Sequence, residues 1–371
     1  MKIPLYKSYL TETDIEYVNR VLKRESFWVN GPEIRELEKK VSEKMNSKYA
    51  VAMNSGTSGL HAMMIAHGIG EGDEVIVPAF TFVSTANAPL FVSAKPVFAD
   101  IEKETYSLDP DDVRKKITNK TKAIILVHYG GMPAIKIKEI KEIANEKNIL
   151  LLEDAAESFG AKIDGKYTGN FGDSTMYSFC GNKVVTSGEG GLVTTNNEEV
   201  YEKLKTIISH GRIENGDYFT GPAEVDYVRL GYNFRMSSIT AALILSQINN
   251  FDLIIKKRRD VAKKYNELLE KYKVKLPIDN QRIFNVYQMY SIEFENNTIR
   301  EKVKENLIKN EIGCKVYFDP IYEYSFHKKY KSNLVNTDEI SKKILSVPIY
   351  PDMKEKEIEF VVEKIKEVID I

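Results

Sequence analysis

The run Ile149-Leu150-Leu151-Leu152-Glu153-Asp154-Ala155-Ala156-Glu157 decides the fold. Four consecutive apolar residues suit a strand buried on both faces, and an abrupt end on acids is how such a strand meets a cleft. Downstream, Tyr177-Ser178-Phe179-Cys180-Gly181-Asn182-Lys183 carries a lysine, and Gly188-Glu189-Gly190-Gly191 supplies a turn of glycines. The stretch from Glu153 to Gly191 therefore offers an acid, a lysine and backbone that a ligand can approach closely.

Outward from this stretch, strand and helix patterns alternate. The spacing predicts strands over Tyr49–Met53, Glu74–Val77, Pro96–Ala99 and Lys122–Val127, with helices over Gly56–Ile65, Phe82–Val92 and Lys136–Asn145 and one capped by Asp109-Pro110. Past the acids, Thr175–Phe179 and Leu192–Thr195 read as strands, followed by a helix from Asn197 to about Ser209. This is the grammar of an α/β fold, a mostly parallel sheet with helices on both faces. Two packing helices precede it. One is capped by Thr11 or Thr13 with Ile15, Val18, Val21 and Leu22 on one face, and the other starts at Pro32 with Ile34, Leu37, Val41 and Met45. Trp28 lies between them and is expected to cover the core.

Residues Arg212–Tyr232 lack periodicity and read as a long loop, of a kind that in a compact domain is functional or disordered. From Ser237 to about Tyr272 a helical pattern runs unbroken, as a helix joining two domains would. The remainder has strands near Val274–Leu276, Tyr287–Phe294 and Lys315–Phe318 and helices near Arg300–Lys309 and Lys354–Val368, making a smaller α+β domain. The expected division is a large domain over 1–250 and a small one over 251–371.

Composition narrows the class. Over 371 residues, 53 Lys and Arg balance 54 Asp and Glu without a basic stripe, so the partner is expected to be a small molecule rather than nucleic acid. Cys180 and Cys314 are too far apart for metal-ligand spacing, and no metal site is expected. No apolar run reaches the ~20 residues of a membrane span, so a soluble, cytoplasmic protein is expected.

In an open α/β sheet ligands bind beyond the carboxyl ends of the strands. After the first strand, Asn54-Ser55-Gly56-Thr57-Ser58 opens a helix, which suits an anion or an ordinary hydroxyl cap. After the second, Pro78-Ala79-Phe80-Thr81-Phe82 offers aromatic faces to a flat ligand, or to the core. At the third, Glu153 and Asp154 point to opposite faces, so only one of them looks into the cleft. Gly68-Ile69-Gly70-Glu71-Gly72 follows a helix rather than opening one, which excludes a dinucleotide fingerprint. An anion site, a stacking surface, an acid for a pyridinium and a glycine-flanked lysine are together what pyridoxal 5'-phosphate (PLP) requires.

Asn54-Ser55-Gly56-Thr57, Glu153-Asp154-Ala155-Ala156-Glu157, Ser178-Phe179 with Lys183, and Gly231-Tyr232-Asn233-Phe234-Arg235-Met236 resemble the DegT/DnrJ-type sugar-nucleotide aminotransferases, which have the aspartate aminotransferase fold of PLP fold type I. The resemblance implies that Lys183 is the Schiff-base lysine and proton shuttle and that Asp154 pairs with the pyridine nitrogen. It further implies that Phe82 stacks on the ring and that Gly56, Thr57 and Ser178 contact the phosphate. Asn233 matches a residue that reaches the phosphate of a neighbouring subunit, which implies a homodimer with shared sites. Glu157 matches a position near the phenolic oxygen of the cofactor, where an ionised carboxylate would be repelled, so a raised pKa is expected. His128, at the fourth strand's end, is expected to face the cleft, where it contacts substrate or serves as a satisfied structural histidine.

The implied activity moves an amino group from L-glutamate to a nucleotide-linked 4-keto-6-deoxysugar. Amination at C3 and a PLP-binding regulator without turnover stand as alternatives, whereas a dehydratase would carry histidine where Lys183 stands. Two departures bear on the sugar. Asp319-Pro320-Ile321-Tyr322 replaces the family's Pro-Leu-His run, and Ala134-Ile135-Lys136 replaces an acidic stretch.

Overall fold

In the computed structural model, which describes residues 1–215, 219, 221 and 224–369, the core is a seven-stranded sheet. Its strands are β1 (Tyr49–Met53), β2 (Glu74–Pro78), β3 (Lys95–Ala99), β4 (Thr121–Val127), β5 (Leu150–Asp154), β6 (Ser174–Ser178) and β7 (Gly191–Thr195). They lie in the order β1-β7-β6-β5-β4-β2-β3, and only β7 runs antiparallel to its neighbours. The central strands are apolar on both faces because helices cover both, as parallel strands require. On one side Val75, Val77, Ile125 and Leu152 pack with Leu60, Met63 and Met64 of the helix Gly56–Ala66. On the other, Ile124, Leu126 and Leu151 meet Ile137, Ile140 and Ile143 of Ile137–Lys147.

The N-terminal helices α1 (Glu12–Lys23) and α2 (Pro32–Met45) form as their sequences dictate. Asp14 bonds back to the Thr11 amide at 2.7 Å, Pro32 occupies the first turn of α2, and Asn46 ends that helix in the left-handed conformation. Leu37, Val41 and Met45 are fully buried, each such side chain stabilising by roughly 1.5–3 kcal/mol. On α1 the expected stripe is narrower, since Val21 is buried but Ile15 and Leu22 are exposed. Trp28 is 47 % exposed and does not cover the core, because α2 closes on the core through its own stripe and leaves the connecting turn outside.

The predicted unbroken helix is two, Ser238–Asn249 and Phe251–Leu269, bent by 62°. Neither Gly nor Pro marks the bend. Asn250 leaves helical geometry there, and the turn seats Phe251 edge-on against Phe159. The second helix serves two cores. Phe251, Ile254 and Ile255 pack with the large sheet's helices, whereas Val261, Ala262, Tyr265 and Leu269 pack in the C-terminal unit. That unit is built on strands Val274–Lys275, Tyr290–Phe294 and Ile344–Val347, with helices Asn297–Lys309, Val335–Lys343 and Glu355–Ile369. Lys315–Phe318 is not a strand there, because only Lys315 bridges to Ser346. Nor is Arg212–Tyr232 a plain loop. Arg212–Asn215 pairs antiparallel with Glu224–Tyr227, and residues 216–218, 220 and 222–223 lie outside the described residues. Arg212 is buried while the apolar Ile213 and the Asp226 and Tyr227 that follow in the partner strand are exposed, so the ribbon prints no alternating apolar pattern. Among the described residues no single helix is long and apolar enough to cross a membrane.

Candidate active site

The carboxyl ends of β1, β2, β4, β5 and β6 converge on one cleft. After β1, Ser55 caps the helix Gly56–Ala66 through its hydroxyl, which accepts from the Ser58 amide at 3.1 Å. The first-turn amides of Gly56 and Thr57 precede any intrahelical acceptor and point out of the positive helix end. Gly56 lies against β6, where a Cβ would come within 2.9 Å of Met176 Sδ and 3.1 Å of Ser178 Cβ. Thus Gly56, Thr57 and Ser178, the residues expected at a phosphate, lie close together, and Ser84 joins them through a 2.8 Å bond to Thr57 Oγ1.

Beyond β2, Phe82 is the cap residue of the helix Val83–Phe91, and its ring stands 57 % exposed, 6.3 Å from that of Phe318. A large aromatic left this open beside buried polar groups is a face on which a flat ring can lie.

Glu153 and Asp154 do project to opposite faces of β5. Asp154 is buried on the cleft side, with Oδ2 2.8 Å from Thr85 Oγ1 and Oδ1 accepting from the Ala156 amide at 3.1 Å. Burial pushes its carboxyl up, against the opposing hydrogen bonds and the charge of Lys183. Glu153 instead accepts from the amides of Gly169 (2.7 Å), Phe171 (2.8 Å) and Gly172 (2.6 Å) and from His128 Nε2 (2.9 Å). Burial pushes this carboxyl up as well, but the His128 bond and the amides outweigh it and hold the group below its ordinary value.

Of the two readings of His128, the structure contradicts the substrate contact and matches the satisfied structural histidine. It is 0 % exposed, its Nδ1 accepts from the Ala134 amide at 3.0 Å, and its Nε2 proton goes to Glu153. Neither ring nitrogen is left for a ligand, because the adjacent glycine turn folds the chain back over the ring.

Lys183 sits in the loop after β6, its amide bonded to the Cys180 carbonyl at 2.9 Å. Its Nζ is 3.6 Å from Glu157 Oε1, and Glu157 Oε2 accepts from the Gly130 amide at 2.8 Å. Burial pushes the Glu157 carboxyl up, and Asp154 adds to this, while Lys183 and the Gly130 amide oppose it, so the expected upward direction is found. Gly130 and Gly131 both take positive φ, and their carbonyls accept from Met289 and Val286 at 3.0 and 3.1 Å. Gln288 in the same segment donates to the Asn182 carbonyl at 2.6 Å, next to the lysine. Asn233 lies at the rim, its carbonyl accepting from Asn54 Nδ2 at 3.3 Å and its side chain exposed.

Thr85, Ser84, Gln288 and the Gly130 amide were not legible as site residues, since a helix-borne hydroxyl and a backbone group leave no motif. Thr81 and Thr85, four apart at a strand–helix junction, were the signal available for the first. The departing run Asp319–Tyr322 is partly packing. Ile321 and Tyr322 are buried, and the Tyr322 hydroxyl donates to Asp338 at 2.7 Å.

The residues fit PLP. The anion turn would suit a phosphate, Phe82 a ring face, Asp154 a ring nitrogen, and Lys183 an aldehyde. Residues 8–366 match the model of the DegT/DnrJ/EryC1/StrS aminotransferase family. The chain is 34 % identical over 372 residues to a GDP-perosamine synthase of Escherichia coli O157:H7, covering 98 % of each. It superposes on Spr1654 from Streptococcus pneumoniae in its PLP form with TM-score 0.92 and 25 % identity, over 100 % of this chain and 99 % of that one. With PseC of Helicobacter pylori, an aminotransferase involved in pseudoaminic acid biosynthesis, the TM-score is 0.92 at 25 % identity over 100 % of both.

Proposed function

The chain belongs to the DegT/DnrJ/EryC1/StrS aminotransferase family as a PLP-dependent sugar-nucleotide aminotransferase, and from that premise we propose that it moves the amino group of L-glutamate to C4 of a nucleotide-linked 4-keto-6-deoxysugar. The observation that carries the residue assignment is the Lys183 amine 3.6 Å from Glu157, on the same side of β5 as buried Asp154. Likeness to a GDP-perosamine synthase supports amination at C4 over C3.

Bound at this site, PLP supplies a carbonyl that takes up an amino group and a ring that withdraws electrons from the adjoining carbon. Lys183 holds the cofactor between turnovers and, once displaced, moves a proton between the substrate carbon and the cofactor side. Asp154 keeps the ring nitrogen protonated, and Phe82 holds the ring flat. Gly56, Thr57 and Ser178 bind the phosphate. Burial and Asp154 disfavour the charge of Glu157, and we assign it the role of donating a hydrogen bond to the phenolic oxygen. Glutamate leaves as an oxo acid and the sugar nucleotide as a 4-amino sugar for polysaccharide or glycan synthesis, in the cytoplasm.

We further assign a homodimer with shared sites, in which Asn233 serves the partner subunit's phosphate. Its exposed side chain and the exposed Phe27, Trp28, Val228 and Leu230 support this reading. The chain division at 250/251 belongs to the same reading, with the substrate between the two units.

The test is direct. Purified protein should be yellow, bleach with L-glutamate and recolour with a 4-keto sugar nucleotide. Failure to recolour on any keto sugar nucleotide would leave a PLP-binding protein without this activity. Mixing inactive Lys183→Ala and Asn233→Ala chains should restore turnover if sites are shared, and no recovery would refute the sharing.

A further inference from the structure

The side chain that holds Asp154 comes from a different element. Helix Val83–Phe91 starts where β2 delivers the chain to the cleft, so Thr85 is in its first turn, 0 % exposed, with Oγ1 2.8 Å from Asp154 Oδ2. An ionised carboxylate only accepts, so the Thr85 hydroxyl donates. Its lone pairs then face Thr81 Oγ1, 3.1 Å away and itself buried, whose proton it accepts. The result is a directed chain from Thr81 through Thr85 to Asp154. On the other carboxylate oxygen the Ala156 amide donates at 3.1 Å, so each oxygen has one protein donor and the plane of the group is fixed. A threonine in a helix more commonly turns its hydroxyl to a carbonyl of the preceding turn. Here the hydroxyl leaves its own helix for the neighbouring strand.

We propose that Thr85 is a positioning residue for amino transfer, whose hydroxyl fixes the Asp154 carboxylate for the cofactor's ring nitrogen without touching cofactor or substrate. The inference rests on the role given to Asp154 above. The electrostatics run the same way. Burial pushes the Asp154 carboxyl up, and Thr85 is the strongest influence against it, ahead of the Ala156 amide, Lys183 and His128. The charged and titratable groups around Asp154 are Lys183 from the loop after β6, His128 from the end of β4 and Glu157 from the turn after β5. All three stay in place when Thr85 alone is changed.

Thr85→Val keeps the shape and drops the hydroxyl. The Asp154 carboxyl then takes up a proton at higher pH, so the acid-side loss of cofactor binding moves to higher pH. Titrating cofactor-free protein with PLP across a pH series reads both quantities. Thr85→Val is expected to bind PLP about tenfold more weakly or worse, the worth of one hydrogen bond to a charged group, with its acid midpoint shifted upward. Thr85→Ser should recover most of the affinity and the wild-type midpoint. Thr85→Ala is a second hydroxyl-free variant, for the case in which valine does not fold, and should behave as Thr85→Val does. Wild-type affinity and midpoint in a folded hydroxyl-free variant would overturn the proposal. Equal losses in Thr85→Ser and Thr85→Val, both folded by circular dichroism, would also overturn it, since packing and not the hydroxyl would then matter. Asp154→Asn separates the two layers. If it binds PLP as wild type does, the Asp154 assignment falls; if it loses affinity while Thr85→Val does not, only the Thr85 proposal falls.

Discussion

Two carboxylates stand side by side on β5 and live in opposite worlds. Glu153, on the closed face, is met by three backbone amides and His128. Asp154, on the cleft face, has one hydroxyl and one amide and borders a lysine. Both are buried, yet one carboxyl is held below its ordinary value and the other pushed above it. The difference lies in donors supplied by the fold rather than in burial. A carboxylate whose donors are complete is a joint in the scaffold, and one left short of them is a site for something cationic.

The sharpest blow to that division falls on the open side. Lys183→Ala should lower turnover by more than about 10³-fold, since on the proposed assignment it removes both the amine that holds the cofactor and the proton carrier. A variant that still transaminates in single-turnover assays would end the residue assignment. On the closed side, Glu153→Gln should cost about 3 kcal/mol of stability in denaturant titration, because an amide nitrogen would face the donors of His128 or Gly169. Glu153's depressed value makes its contribution full above the ordinary carboxylate range and lost as pH falls through the depressed value. The wild type's acid loss of stability should therefore flatten in the variant.

Asp154→Asn reverses the sign. With its folded-state value raised, ionisation of Asp154 opposes folding once pH climbs above the ordinary aspartate range. Cofactor-free Asp154→Asn at neutral pH should be as stable as wild type or slightly more so, while PLP affinity falls. A stability loss matching that of Glu153→Gln would erase the contrast between the two acids. The smallest effect belongs to Glu157→Gln. If Glu157 is already protonated, the variant keeps wild-type turnover and pH profile, and a large loss in steady-state assays would show that its charge is used.

Much of this site was legible because strand ends in such a sheet have one direction. An apolar run that stops on Asp154, a hydroxyl-glycine turn after β1 and Phe82 after β2 all point to the same edge, and Lys183 follows β6. What was hidden depended on contacts between distant segments. His128 looked like a cleft residue until the Gly130-Gly131 turn enclosed it, and nothing in its neighbours names Glu153 as its partner. The bend at Asn250 is set by where Phe251 finds Phe159, which no helix-breaking residue announces. Trp28 misled because size favours burial only where a concave surface waits for it. Thr85 was silent for a further reason, since a single buried hydroxyl has no period and no spacing.

The glycine turn after β4 has a consequence for motion. Gly130 donates its amide to Glu157 and accepts at its carbonyl from the Met289 amide, so a single residue is bonded at once to the candidate site and to the chain that leads into the C-terminal unit. At Gly131 a side chain would press within 2.6 Å of the Gln288 amide and 2.8 Å of that of Tyr287. The two backbones are meshed like gear teeth, with no slack for either to slide. A shift of Met289 against Gly130 would therefore bear directly on the amide that meets the carboxyl beside Lys183.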